Sequence, residues 1–253
     1  MSDWFFALWR NGGGTQRWHA GQSLSDFKTT DDAYFTKALR LVAVDTDDNA
    51  YSGVWRPGSG EQRWDSSSDV NSIVAADEQH FNHGLRLSAI AIRSDGGLFC
   101  VWRPGSGGQH WHYPLTIEQF EQKANDYFKK GYRLALIDKR DENFVGVWHQ
   151  GSGAERCEST DPQSFYDKDK TYRSQGLLLQ QIGGRSTNPF GLWHPDDGSE
   201  RWWVGLNEND FQYKDSTYFD EGFRLAGLRV RYEPQRPDGL DVVLQIGLEI
   251  GST

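Results

Sequence analysis

The chain has 253 residues, a formal net charge of -9 at pH 7 and a pI near 5.2, a balance that argues against nucleic acid or an anionic membrane surface as partner, because phosphates would be repelled. No run of about 18 apolar residues offers a membrane span, and Met1-Ser2-Asp3-Trp4 does not begin a signal peptide. The expected setting is therefore cytoplasmic, or release without a classical signal peptide; Cys100 and Cys157, at non-equivalent places, form no disulfide framework and fit a reducing compartment.

Nine of the 11 tryptophans are periodic. Trp9, Trp55, Trp102, Trp148 and Trp193 recur at steps of 46, 47, 46 and 45 residues, and the position nine residues further on reads Trp18, Trp64, Trp111, Cys157 and Trp202. The fullest copy is Trp55-Arg56-Pro57-Gly58-Ser59-Gly60-Glu61-Gln62-Arg63-Trp64. Such a period implies a single repeat domain over 1–253, with units near 2–50, 51–97, 98–143, 144–188 and 189–235.

Each unit opens on a strand such as Tyr51-Ser52-Gly53-Val54-Trp55, rich in β-branched and aromatic residues. Arg56-Pro57-Gly58-Ser59 then places Pro and Gly as a type II turn requires, predicting reversal into a second strand that ends at the second tryptophan. A helix follows, clearest where Ile117, Phe120, Ala124, Tyr127, Phe128 and Gly131 fall on one face, with Thr116 and Gln119 as a capping box. Gly84, Gly131, Gly176 and Gly222, with Ala38 in the first copy, stand where the helix should stop in a left-handed cap. A third strand such as Leu85-Arg86-Leu87-Ser88-Ala89-Ile90 leads through a short polar turn into the next unit, so the two should be antiparallel neighbours.

The expected fold is α+β: five ββαβ units, each a three-stranded antiparallel sheet plus one helix, with each sheet joining one unit's third strand to the next unit's hairpin. Residues 241–250 read as a capping strand. Asp31, Asp77, Ala124, Asp169 and Asp215 lie on the helix face, and Arg40, Arg86, Arg133, Leu178 and Arg224 on the third strands. Pairing each Asp with the Arg of the following unit leaves Asp215 for Arg40, which predicts a closed, propeller-like ring.

The pattern W-R-P-G-S-G-x-Q-x-W, followed by F and then by Y-F-x-x-G-[LYF]-R-L, resembles the bacterial tandem repeat domain from Trp4 to about Tyr232. Similar repeats form the non-catalytic N-terminal part of fungal polyglycine hydrolases, whose catalytic serine lies in a separate β-lactamase-like domain. The resemblance implies a repeat module without carrying over an activity.

Catalytic signals are poor. Ser25-Asp26-Phe27-Lys28 matches S-x-x-K, but Phe27 belongs to the periodic helix face, and the cysteines occupy periodic positions that suit buried, inert thiols. His110 with His112 and His80 with His83 have metal-like spacing, yet His110 stands where other copies carry Arg, so no metal or cofactor is expected.

The repeated amide–cation–indole triplet is the binding candidate: Gln16, Arg17, Trp18; Gln62, Arg63, Trp64; Gln109, His110, Trp111; and Glu200, Arg201, Trp202. Indoles stack on sugar C–H groups while Arg and Gln bond hydroxyls or an anion, which suits a multivalent, lectin-like module for a glycan or glycoprotein. The competing readings are core packing, a protein-interaction or inhibitor scaffold contacting its partner through the RPGSG loops, and, less readily, a hydrolase.

Overall fold

The computed structural model describes residues 2–47, 49–185 and 188–233, so the capping strand expected at 241–250 lies outside the described residues. The ββαβ order appears five times: β1 (Ser2–Asn11), β2 (Arg17–Gln22), α1 (Leu24–Phe35), β3 (Leu39–Asp47); β4 (Ala50–Pro57), β5 (Arg63–Ser67), α2 (Val70–Asn82), β6 (Leu85–Ile92); β7 (Leu98–Pro104), β8 (Gln109–Leu115), α3 (Ile117–Lys129), β9 (Tyr132–Arg140); β10 (Asn143–Gln150), β11 (Arg156–Ser159), α4 (Pro162–Ser174), β12 (Leu177–Arg185); and β13 (Asn188–Pro195), β14 (Glu200–Leu206), α5 (Glu208–Asp220), β15 (Phe223–Glu233).

The strands form five three-stranded sheets, ordered β2-β4-β3, β5-β7-β6, β8-β10-β9, β11-β13-β12 and β14-β1-β15, all antiparallel. The expected hairpin between the two tryptophan-bearing strands of a unit does not form. The first strand of each unit enters the middle of the preceding unit's sheet, and the Pro-Gly segment carries the chain on to the next sheet. Its positive φ falls at Gly60 (83°) and Gly107 (82°), two residues beyond the glycine that a type II turn would have used. The N-terminal strand β1 lies between β14 and β15, so both ends of the described chain share one sheet.

The third strands pack successively, β3 on β6, β6 on β9, β9 on β12, β12 on β15, and β15 on β3. Side chains bridge them: Asp138 accepts from the Ile92 amide at 2.7 Å, Gln181 from Ile137 at 2.8 Å, and Asp45 from Val230 at 2.7 Å. Arg229 and Arg231 neutralise Asp45 and Asp138 in the same buried layer. Burial alone would lower the Arg231 pKa, but the two carboxylates outweigh it and raise it.

Side-chain oxygens cap the helices, with the Thr116–Gln119 box in α3. The helices stop in left-handed backbone at Gly84, Gly131, Gly176 and Gly222, and at Ala38 with φ 56°. The first apolar position of the helix face is packed in every unit, as expected: Phe27, Ile73, Phe120, Phe165 and Phe211. The later aromatic position differs from expectation. Phe35 and Phe128 are exposed and Phe81 and Phe219 only partly covered, each under the guanidinium of Arg40, Arg133, Arg86 or Arg224, with 3.6–3.7 Å from charge centre to ring. The residue just before it packs inward instead, so that Tyr34, His80, Tyr127, Tyr172 and Tyr218 lie against Trp55, Trp102, Trp148, Trp193 and Trp9.

Candidate functional site

All five first tryptophans are completely buried. An indole N–H taken out of water needs an acceptor, and in four of the five the helix carboxylate of the preceding unit supplies it. Asp31 accepts from Trp55 Nε1 at 2.8 Å, Gln62 Nε2 at 2.9 Å and Trp64 Nε1 at 2.8 Å. Asp77 takes Trp102, Gln109 and Trp111 at 2.8, 3.0 and 2.8 Å. Asp215 takes Trp9, Gln16 and Trp18 at 2.7, 2.6 and 3.1 Å, which ties the last helix to the first motif.

The expected Asp–Arg pairing is therefore corrected. The aspartates do reach into the neighbouring unit, but toward indole and amide donors. The arginines stack on phenylalanine and donate to loop carbonyls such as Gly60, Gly107 and Gly14.

Strand alternation splits each candidate triplet. Gln16 and Gln62 are buried, Gln109 is half-buried, and each uses both ends of its amide: Nε2 on the aspartate, Oε1 on the backbone N–H of Leu225, Leu41 or Leu87. Trp18, Trp64, Trp111 and Trp202 are half-buried, with Nε1 committed to carboxylates. Arg17 and Arg63 point to the opposite face, into solvent; His110, also on that face, stacks on Tyr127, and Arg201 is half-buried over Phe223. Amide, cation and indole thus do not converge on one ligand.

The degenerate copies change in concert. At the fourth motif the helix offers Ala124, Trp148 Nε1 has no partner among the described residues, and Glu155 and exposed Cys157 replace the amide and second indole. At the fifth, Glu200 replaces the amide, and Arg173 bonds it at 2.8 Å and Asp169 at 3.3 Å. Burial pushes the Glu200 pKa up to about 7 despite Arg173. Cys157 was expected to be buried; Cys100 is, and burial raises its thiol pKa well above the ordinary value. Ser25, Asp26 and Lys28 are exposed around the packed Phe27.

One second tryptophan borders a groove. Between α2 and β8, a space of about 440 Å³ is lined by Trp111, Tyr113, Phe81, Val74, Val70, His112, Gln109, Asp77, Glu78 and Asn82. Trp111 is held by Asp77, while exposed Glu78 and Asn82 stand on the helix wall. Sequence reasoning missed Glu78 and Asn82, because they sit between periodic positions and carry no repeat signal. Val74 is 48% exposed, leaving apolar surface beside the indole. His112 meets Tyr127 Oη at 2.7 Å, and burial lowers its pKa. Among the described residues no three His, Cys, Asp or Glu side chains gather to hold a metal, and no helix is long and apolar enough to cross a membrane. No family model matches the chain, and neither does any curated protein.

Proposed function

We propose that the protein is a non-catalytic binding module whose first ligand class is carbohydrate, and that its five units close into a propeller-like ring. The seat of β1 between β14 and β15, together with the Asp215–Trp9–Gln16–Trp18 cluster, supports the ring. The resemblance to the bacterial tandem repeat domain points the same way.

The observation that carries the carbohydrate reading is the groove at Trp111, where a fixed indole and an apolar wall lie beside exposed carboxylate and amide groups. A pyranose needs that combination: a flat aromatic surface for its C–H face and planar acceptors and donors for its hydroxyls. The proposed contacts contract from twelve residues to the Trp111 groove, with Glu78 and Asn82 added, because the buried amides already serve the fold.

A glycan array tests this with the intact chain and with Glu78→Ala and Asn82→Ala, whose side chains are exposed and should not disturb packing. Binding to a defined glycan set that falls at least tenfold in either variant supports the proposal. Binding that is unchanged in both, or that survives deglycosylation of the target, refutes it and favours a protein partner.

A further inference from the structure

A second cavity, of about 600 Å³, lies among the five third strands, and every one of them contributes to its wall. Its cause is visible in the strand registers. Val42, Ser88, Ala135, Gln180 and Ala226 occupy equivalent places, each following a buried leucine yet only partly buried itself. Four of these five side chains are small or medium, so they leave the centre unfilled. The position after the first tryptophan widens the mouth: Arg10, Arg56 and Arg103 occupy three copies, but His149 and His194 replace them in the two copies that line the cavity.

The charge of the lining is one-sided. Arg133, His149, His194 and Arg229 contribute to it, and no Asp or Glu does among the described residues, although the chain as a whole is acidic. Arg229 is engaged by Asp45 and Asp138. Beside the motif, burial and then neighbouring guanidinium groups hold both imidazoles below the ordinary histidine pKa: Arg10 and Arg133 act on His194, and Arg86 acts on His149. His194 Nε2 is inaccessible to solvent, has no hydrogen-bond partner among the described residues, and stands 3.9 Å from the Glu155 carboxylate. The remaining wall is aliphatic, with Val44, Ile90, Leu136, Ile182 and Leu228.

From this geometry we infer that the central cavity is a binding site for a small amphipathic organic anion, its head at His149, His194 and Arg133 and its apolar body along the strand walls. The volume falls within the roughly 300–1,000 Å³ of ordinary small-molecule pockets. A hydrophobic body removes the small-residue belt from water, while the anion pairs with the Arg133 guanidinium and favours protonation of the two imidazoles beside it. A polar sugar satisfies neither condition, which separates this site from the Trp111 groove.

The test uses the intact chain and 1-anilinonaphthalene-8-sulfonate as a fluorescent anionic probe, with octanoate and neutral octanamide as competitors. Saturable one-to-one binding is expected, displaced by octanoate at least tenfold more effectively than by octanamide. His194→Gln, which keeps the shape and removes the protonatable imidazole, should weaken the probe about tenfold or more, and Ala135→Phe should abolish binding by filling the cavity. Near-ultraviolet circular dichroism confirms that each variant is folded; should Ala135→Phe not fold, Ala226→Leu supplies the filling test. Absence of saturable binding, or binding unaffected by a folded filling variant, overturns the site. Equal displacement by octanamide overturns its preference for an anion. Neither result bears on glycan binding at Trp111.

Discussion

Replacing Asp31 with alanine tests the physical basis of the repeat. The carboxylate accepts from Trp55, Gln62 and Trp64, and the first two donors are 0% and 8% exposed. Charge-assisted hydrogen bonds contribute about 1.5–3 kcal/mol each, while the desolvation of a buried carboxylate takes back several. Truncation recovers the desolvation term but strands two donors out of reach of water, at about 1–3 kcal/mol apiece; half-buried Trp64 can rehydrate. The net expectation is a loss of about 3 kcal/mol, and Asp31→Asn, which keeps one acceptor, should lose about half as much. Urea denaturation followed in parallel by tryptophan fluorescence and far-ultraviolet circular dichroism measures both. A loss below about 1 kcal/mol for Asp31→Ala would show that desolvation cancels the bonds and that the cluster specifies geometry without stabilising it.

Glu200 ionises in the folded chain only near pH 7, against 4.5 for its ordinary value, so the folded state binds more protons than the unfolded one between those limits and stability falls as pH rises through that window. Glu200→Gln should gain about 2–3 kcal/mol at pH 8 and much less at pH 4.5; an equal gain at both refutes the assignment. Ala38→Gly should stabilise by about 0.5–1 kcal/mol, since left-handed backbone costs alanine about 1–2 kcal/mol and glycine's larger unfolded entropy returns part of that; a lower urea midpoint would contradict it. Ala124→Asp combined with Glu155→Gln and Cys157→Trp rebuilds the missing cluster around Trp148 and should raise stability by about 1–2 kcal/mol, whereas Ala124→Asp alone should lower it by placing a second carboxylate near Glu155. Comparing the two urea midpoints decides that prediction.

Much of the architecture was legible because periodicity and caps are local. The 46-residue step, the element order, the Thr116–Gln119 box and the left-handed helix ends each follow from nearby residues. Which sheet a strand joins is not local. A short Pro-Gly segment reads equally as a reversal or as a passage to the next sheet, and the difference lies in whether Gly58 or Gly60 takes the positive φ. The partner of the helix aspartate was misassigned for a different reason. Charge complementarity directed attention to arginine, although two indoles and an amide at fixed spacing supply as many donors without burying a second charge. Period-2 alternation was legible throughout, and applied to Gln62-Arg63-Trp64 it already separates the cation from its neighbours. The Trp111 groove was not legible, because it depends on what Val74, Phe81 and Asn82 leave uncovered across two units.

The departures of the fourth and fifth copies make physical sense once sorted by contact. Sequence alignment pairs Ala124 with Leu178, two losses that suggest one lost ion pair. The contacts assign them to different sets. Ala124 belongs with Glu155 and Cys157: without the aspartate there is no anion to receive an amide and a second indole N–H, and a carboxylate at 155 meets no second carboxylate. Leu178 belongs with Arg173: elsewhere a third-strand arginine covers a helix phenylalanine, and here the helix carries the arginine, which turns to Glu200 and Asp169. The same two copies substitute His149 and His194 for arginine beside the central cavity. The two copies that depart from the regular cluster are thus also the two whose motif histidines line the central cavity, which is where a site unlike the repeated ones can arise in an otherwise periodic chain.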